Sequence, residues 1–193
     1  GSRRHQVSAR SCFLIGWPGT GKSTVGRQLA RRISLPFFDS DHVIEQRLGC
    51  SIREYFDREG ESSFRDLEAA VIDELTLGPS CVLSTGGGSV LRAANRTCLH
   101  ERSHVVYLRS SPEEVFRRLR HDRNRPLLQV ADPLQRLRDL FAQRDPLYRE
   151  AAHFVIETGR PSVSTLVNMI VMQLELAGVV NDGSARDQGS GKA

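Results

Sequence analysis

Lysine is nearly missing from this chain: 27 of its 193 residues are lysine or arginine, but only Lys22 and Lys192 are lysine. Nor do the basic residues gather into one run. They are interleaved with 23 acidic residues, so the net charge of +4 does not have the form of a nucleic-acid-binding surface. A small, multiply anionic ligand suits it better, because arginine offers a planar fork that grips carboxylate and phosphate bidentately. Long apolar runs are missing as well. Crossing a bilayer takes roughly 18 or more consecutive apolar residues, and the longest runs here, such as Val105-Val106-Tyr107-Leu108, are strand-sized. No membrane attachment is expected. The opening residues GSRRHQVSAR contain no apolar core of a signal peptide, so the chain reads as cytoplasmic. Cys12, Cys50, Cys81 and Cys98 form no CxxC pair, which argues against a disulfide framework or a zinc site and for reduced, structural thiols.

With 39% hydrophobic and 26% charged residues, the composition is that of an ordinary globular protein. Short apolar runs alternate with amphipathic stretches, the pattern of βαβ units on a parallel sheet covered by helices on both faces. About five strands are expected, at 12–15, 36–38, 81–84, 104–108 and 154–157. Val25, Leu29 and Ile33 recur every four residues and define one helix face, ended by Pro36. Residues 52–77 read as one or two helices broken at Gly60 and closed by Gly78-Pro79. Ser111-Pro112-Glu113-Glu114 opens another, with an N-cap serine, proline in the first turn and acids that complement the helix dipole. A last helix starts near Pro161 and puts Leu166, Val167, Ile170, Val171 and Leu174 on one face. The expectation is a single domain over residues 11–177, with disordered ends at 1–10 and 178–193.

Gly16-Trp17-Pro18-Gly19-Thr20-Gly21-Lys22-Ser23 matches GxxxxGK[ST], directly after an apolar run and at the start of an amphipathic one. Phosphate needs inward-pointing backbone N–H groups without Cβ atoms in the way, and it gains from a helix N-terminus behind them. Gly19, Thr20, Gly21, Lys22, Ser23 and Thr24 are therefore assigned to a nucleoside triphosphate, with Lys22 on the outer phosphates and the Ser23 hydroxyl available to Mg²⁺. Asp39 and Asp41 end the second expected strand, and strand alternation would turn both to one side at a carboxyl end, where open α/β sheets bind ligands. One reading gives Asp39 to Mg²⁺ and Asp41 to a substrate hydroxyl; the other makes Ser40 or Asp41 a helix cap. Arg65 and Glu68, three apart in a helical stretch, could be a surface ion pair or part of a site. Gly86, Gly87 and Gly88 follow another strand, and three consecutive residues without side chains argue for close approach of a ligand to the backbone.

Together, GWPGTGKSTVG, FFDSDxxIE, GExxFRxxE, STGGG, RPLL from Arg125 and RDPLY from Arg144 resemble the shikimate kinases in order and spacing, over about residues 12–176. The resemblance implies a P-loop kinase of the nucleoside-monophosphate-kinase type, with a central parallel sheet, a mobile substrate-binding segment and a lid at about 120–130. It implies ATP and Mg²⁺ as partners and shikimate as the small-molecule substrate. Asp41, Arg65, Gly86, Gly87, Gly88 and Arg144 would contact shikimate, and Arg125 would be the lid arginine. Lys22, Ser23 and Asp39 would serve ATP and Mg²⁺, Arg118 would stack on adenine, and Arg160 would lie near the base edge. Tyr55 departs from the usual aliphatic residue before Phe56, and Trp17 and Pro18 fill variable P-loop positions. A monomer is expected. The rivals are a kinase for another hydroxy acid such as gluconate, a nucleoside monophosphate kinase, and a nucleotide-gated binding protein without turnover.

Overall fold

Four successive residues, Cys12-Phe13-Leu14-Ile15, are all buried, as a strand covered on both faces requires. They form β1 (Cys12–Ile15) of a computed structural model that describes residues 11–120 and 130–179. Alternation along β1 divides the core. Cys12 and Leu14 pack with Val25, Val106 and Leu174 on one face, while Phe13 and Ile15 pack with Leu83, Val105 and Tyr107 on the other.

The other strands are β2 (Phe37–Asp39), β3 (Val82–Ser84), β4 (His104–Arg109) and β5 (Phe154–Glu157). All pairings are parallel, in the order β2-β3-β1-β4-β5, so all five expected strands form to within a residue or so. The helices are α1 (Lys22–Ile33), α2 (Ser40–Leu48), α3 (Ile52–Glu59), α4 (Glu61–Leu77), α5 (Ala93–Arg102), α6 (Pro112–Leu119), α7 (Pro133–Ala151) and α8 (Val163–Leu176). Helices α1 and α8 cover one face of the sheet through Val25, Leu29, Ile170 and Leu174. Leu99 of α5, Val115 of α6 and Leu137 of α7 cover the other. Outside these layers α2, α3 and α4 pack on one another around Ile44, Phe64 and Val71.

Several sequence signals are visible as geometry. Gly60, at φ +88°, ends α3 and begins α4, so the stretch 52–77 is two helices. Ser111 caps α6 by accepting from the Glu114 N–H at 3.2 Å. Helix α2 is the helix that the reading of Ser40 or Asp41 as a cap anticipated, whereas α5 and α7 are additions to the sequence reading, and α7 carries Pro146 within it.

The order of the strands positions the site. From β1 the chain crosses through α1 to β2 on one side, while β4 adds on the other side, so β1 stands where the winding reverses. The crevice beyond the carboxyl ends of β1 and β3 is where such a sheet takes its ligands. The expected disordered ends and the expected lid with Arg125 lie outside the described residues, apart from Arg120, Val130, Gly178 and Val179 at their margins.

Candidate active site

The glycine-rich loop joins β1 to α1. Gly21, at φ +82° in the left-handed region, makes the final turn into α1, which starts without a side-chain cap. Its first-turn N–H groups thus suit an anion. Lys22 is buried, and its Nζ donates to the carbonyls of Gly16 and Trp17, both at 2.7 Å. Thr20 Oγ1 also donates to the Trp17 carbonyl, at 2.9 Å. These bonds wrap the loop around the lysine, and Gly19, Gly21, Lys22, Ser23 and Thr24 line one wall of a cleft of about 360 Å³.

Asp39 and Asp41 both line the same cleft, but not for the reason alternation suggested. Strand β2 stops at Asp39, and Asp41 belongs to the first turn of α2. Capping falls to Asp39 rather than to Ser40 or Asp41: its Oδ1 accepts from the Asp41 N–H at 2.9 Å and the His42 N–H at 3.3 Å. Its Oδ2 accepts from Ser23 Oγ at 2.9 Å, tying α1 to the end of β2. Asp41 is thereby free of capping duty. Burial pushes its carboxyl up to about 6, Asp39 and Glu68 push the same way, and Lys22 pulls against them.

The three glycines after β3 are also required by the protein itself. A Cβ on Gly86 would lie 2.6 Å from Asp41 Oδ1, one on Gly87 would lie 2.7 Å from Pro18 Cδ, and one on Gly88 would strike the Arg65 guanidinium. Their missing side chains make room for the site's own groups. The turn is fixed by the Gly86 N–H, which donates to Ser40 Oγ at 3.2 Å, and by the Gly87 carbonyl, which accepts from the Tyr148 hydroxyl.

Arg65 and Glu68 are not a surface pair. Arg65 Nη1 donates to Glu68 Oε1 at 2.7 Å, and Glu68 is only 1% exposed. Burial raises the Glu68 carboxyl, against the downward pull of Arg65 first and Arg144 after it. Arg144, from α7, holds its guanidinium carbon 5.0 Å from the centre of the Trp17 ring. Two arginines from different helices therefore act on one buried carboxylate beside the glycine turn. Arg118 Nη1 donates to the Gly19 carbonyl at 2.9 Å, over the phosphate loop. Arg160 is exposed just beyond β5, and Arg125 lies outside the described residues.

Sequence reasoning gave no role to Tyr148 or Trp17. Tyr148 is fully buried, edge-on to Trp17 and stacked on Tyr107, whose hydroxyl donates to Asp145 at 2.7 Å. Tyr148 stood within RDPLY as a visible signal; Trp17, at a variable position of a glycine loop, gave none. The result is a cleft with a phosphate cradle on one side, a carboxylate of raised pKa at its floor, and arginines grouped around a glycine turn on the other.

Comparison with known proteins agrees with this geometry. The family model described as shikimate kinase matches residues 18–175. A shikimate kinase of Paracidovorax citrulli is 66% identical over 172 residues, covering 88% of this chain and 94% of the relative. One from Ralstonia nicotianae is 57% identical over 174 residues, covering 90% and 92%. The solved shikimate kinase of Acinetobacter baumannii, in complex with shikimate, superposes with a TM-score of 0.82 at 46% identity, covering 89% of this chain and 96% of that one.

Proposed function

The chain belongs to the shikimate kinase family, and from that premise we propose how its cleft carries out the reaction. The protein is an ATP-dependent kinase that transfers the γ-phosphoryl group of ATP to the 3-hydroxyl of shikimate, giving shikimate 3-phosphate and ADP. A relative at 66% identity leaves gluconate or a nucleoside monophosphate as disfavoured acceptors. The observation that carries the residue assignment is Asp41, a carboxylate of raised pKa held against Gly86 in the same cleft as Lys22.

Shikimate presents one carboxylate and three hydroxyls on a small ring. Arg65 and Arg144 receive the carboxylate, each able to give a planar pair of N–H donors, and the backbone of Gly86 and Gly87, which lines the cleft, is assigned with that of Gly88 to the ring. Asp41 accepts a hydrogen bond from the 3-hydroxyl and so orients it. Phosphoryl transfer passes through a loose transition state, so positioning and charge neutralisation supply most of the rate. The hydroxyl oxygen bonds to the γ-phosphorus as the bond to the ADP oxygen breaks, and its proton passes late to Asp41. A carboxylate raised to about 6 accepts that proton more readily than one at the ordinary value of 3.8.

Lys22 gives up its bonds to the Gly16 and Trp17 carbonyls for the outer phosphates, and the N-terminus of α1 receives the remaining charge. Arg118 lies towards the adenine end, with Arg160 near the base edge. Arg125 is assigned to a lid over 120–130 that excludes water during transfer. The Ser23 hydroxyl and the Asp39 carboxylate, in contact at 2.9 Å, form a hard-oxygen pair that would hold Mg²⁺. When bound, Mg²⁺ supplies positive charge to the phosphate oxygens. The reading includes one kinase domain over 11–177, acting as a monomer in the cytoplasm and without nucleic acid. Among the described residues no helix is long and apolar enough to cross a membrane.

A coupled assay for ADP release tests the whole. Release should depend on shikimate, ATP and Mg²⁺ together. Release driven by gluconate or a nucleoside monophosphate, with none driven by shikimate, would overturn the assignment.

A further inference from the structure

We propose that Trp17 is a positioning residue for substrate binding: its indole face holds the Arg144 guanidinium in the pose that receives the substrate carboxylate. The proposal rests on the reading of Arg144 as a carboxylate-binding residue.

Trp17 is only 3% exposed, and among the described residues its buried Nε1 finds no hydrogen-bond partner. A buried N–H that finds no acceptor is unfavourable, and the large majority of such groups in folded proteins are paired. Phenylalanine could supply an aromatic ring at this position without that cost. What indole offers beyond a phenyl ring is a stronger negative face for a cation, and the cation is present: the Arg144 guanidinium carbon lies 5.0 Å from the ring centre.

A contact through the face of the ring uses none of the five guanidinium N–H donors, so it fixes the cation and, beside the hydrogen bond that Arg144 gives Tyr148, leaves the remaining donors for an anion. A carboxylate partner in the same place would compete with the substrate for those donors. The ring is itself held from two sides. Tyr148 meets it edge-on at 6.2 Å between centroids, and the Trp17 carbonyl accepts from Lys22 Nζ and Thr20 Oγ1. Arg144, which comes from α7, is therefore seated on a residue of the phosphate loop that Thr20 and Tyr148 continue to hold when Lys22 turns to the phosphates.

The test compares Trp17→Phe, Trp17→Leu, Arg144→Ala and the double variant Trp17→Leu/Arg144→Ala. The quantities are KM for shikimate, KM for ATP, kcat and thermal stability. Trp17→Leu should raise the shikimate KM by roughly 10-fold, as loss of a desolvated cation–π contact implies, with the ATP KM within about 2-fold of the parent. Trp17→Phe should show a smaller rise and a melting temperature no lower than the parent's, because it removes the unpaired N–H. In the Arg144→Ala background, Trp17→Leu should raise the shikimate KM no further, since both changes remove one interaction. An equal rise for both substrates, or the same rise with and without Arg144, would overturn the proposal. A normal shikimate KM for Arg144→Ala would instead overturn the carboxylate reading on which it rests.

Discussion

Asp41 and Gly86 stand so close that a Cβ on the glycine would lie 2.6 Å from Oδ1 of the aspartate. The loop after β3 is thus a wall that limits where the Asp41 carboxylate can sit. Gly86→Ala should push that carboxylate aside and lower kcat by about 10²-fold, the scale expected for a displacement of the order of an ångström at a reacting group. Gly86 is not among the positive-φ glycines, so the backbone tolerates alanine. Circular dichroism should remain that of the parent while steady-state kinetics record the loss.

Asp41→Asn should lower kcat by roughly 10² to 10³ with little change in the ATP KM. The same variant should be more stable than the parent at pH 7 to 8. The folded-state pKa of about 6 lies above the ordinary 3.8, so between these values the folded state binds more protons than the unfolded one. Stability arising from this group therefore falls as pH rises through that window. Removing the ionisable group should abolish the fall, and denaturant melts of both proteins at pH 4 and pH 8 would record the difference.

If ionised Asp41 is the group that receives the hydroxyl, kcat/KM for shikimate should rise with pH through about 6 and level off above it. A pH–rate profile measured at saturating ATP reads this directly. A limb near the ordinary value of 3.8 would assign the proton elsewhere.

Arg65 and Glu68 form a buried pair, with side chains 14% and 2% exposed. Glu68→Ala leaves the guanidinium without its closest carboxylate and should cost about 3 kcal/mol of stability, the lower end for breaking such a pair. Arg65→Lys keeps the charge and loses the fork, so it should raise the KM for shikimate much more than that for ATP. Melting temperature and the two KM values separate the effects.

Asp39 carries two duties, as cap of α2 and partner of Ser23. Asp39→Ala should cost about 1 kcal/mol for the lost cap and should also raise the Mg²⁺ concentration needed for half-maximal rate. Ser40 and Asp41 should shift with the freed helix terminus, so kcat falls as well. Titration with Mg²⁺ at fixed ATP distinguishes the metal effect from the cap.

The sheet was legible because β1, β3 and β4 are continuous apolar runs and the burial on both faces demands that. Helix α2 was legible only as a candidate cap at Ser40 or Asp41, and α5 and α7 were not legible. In α2 only Ser40 and Ile44 are buried, which is too little periodicity to read, and in α5 only Asn95 and Leu99 are. Pro146 inside α7 reads as a break in sequence. Within the site, Lys22 and Ser23 follow from the motif itself. The room that Gly86, Gly87 and Gly88 leave for the site's own groups did not, because those groups come from Asp41, Pro18 and Arg65, and no local pattern connects those positions.

The place of β1 in the sheet has a consequence for how the chain acquires its fold. Cys12 pairs with Val82 on one side and His104 on the other, so the strand bearing the phosphate loop has no neighbouring strand encoded near it. Closing such distant segments costs chain entropy before any packing is gained, which slows folding. During synthesis β1 emerges before β3 and β4, and it acquires its second flank only once β4 has left the ribosome. Until then an apolar strand paired with β3 keeps its other edge open, and a nascent chain halted between β3 and β4 should be the species most prone to aggregate.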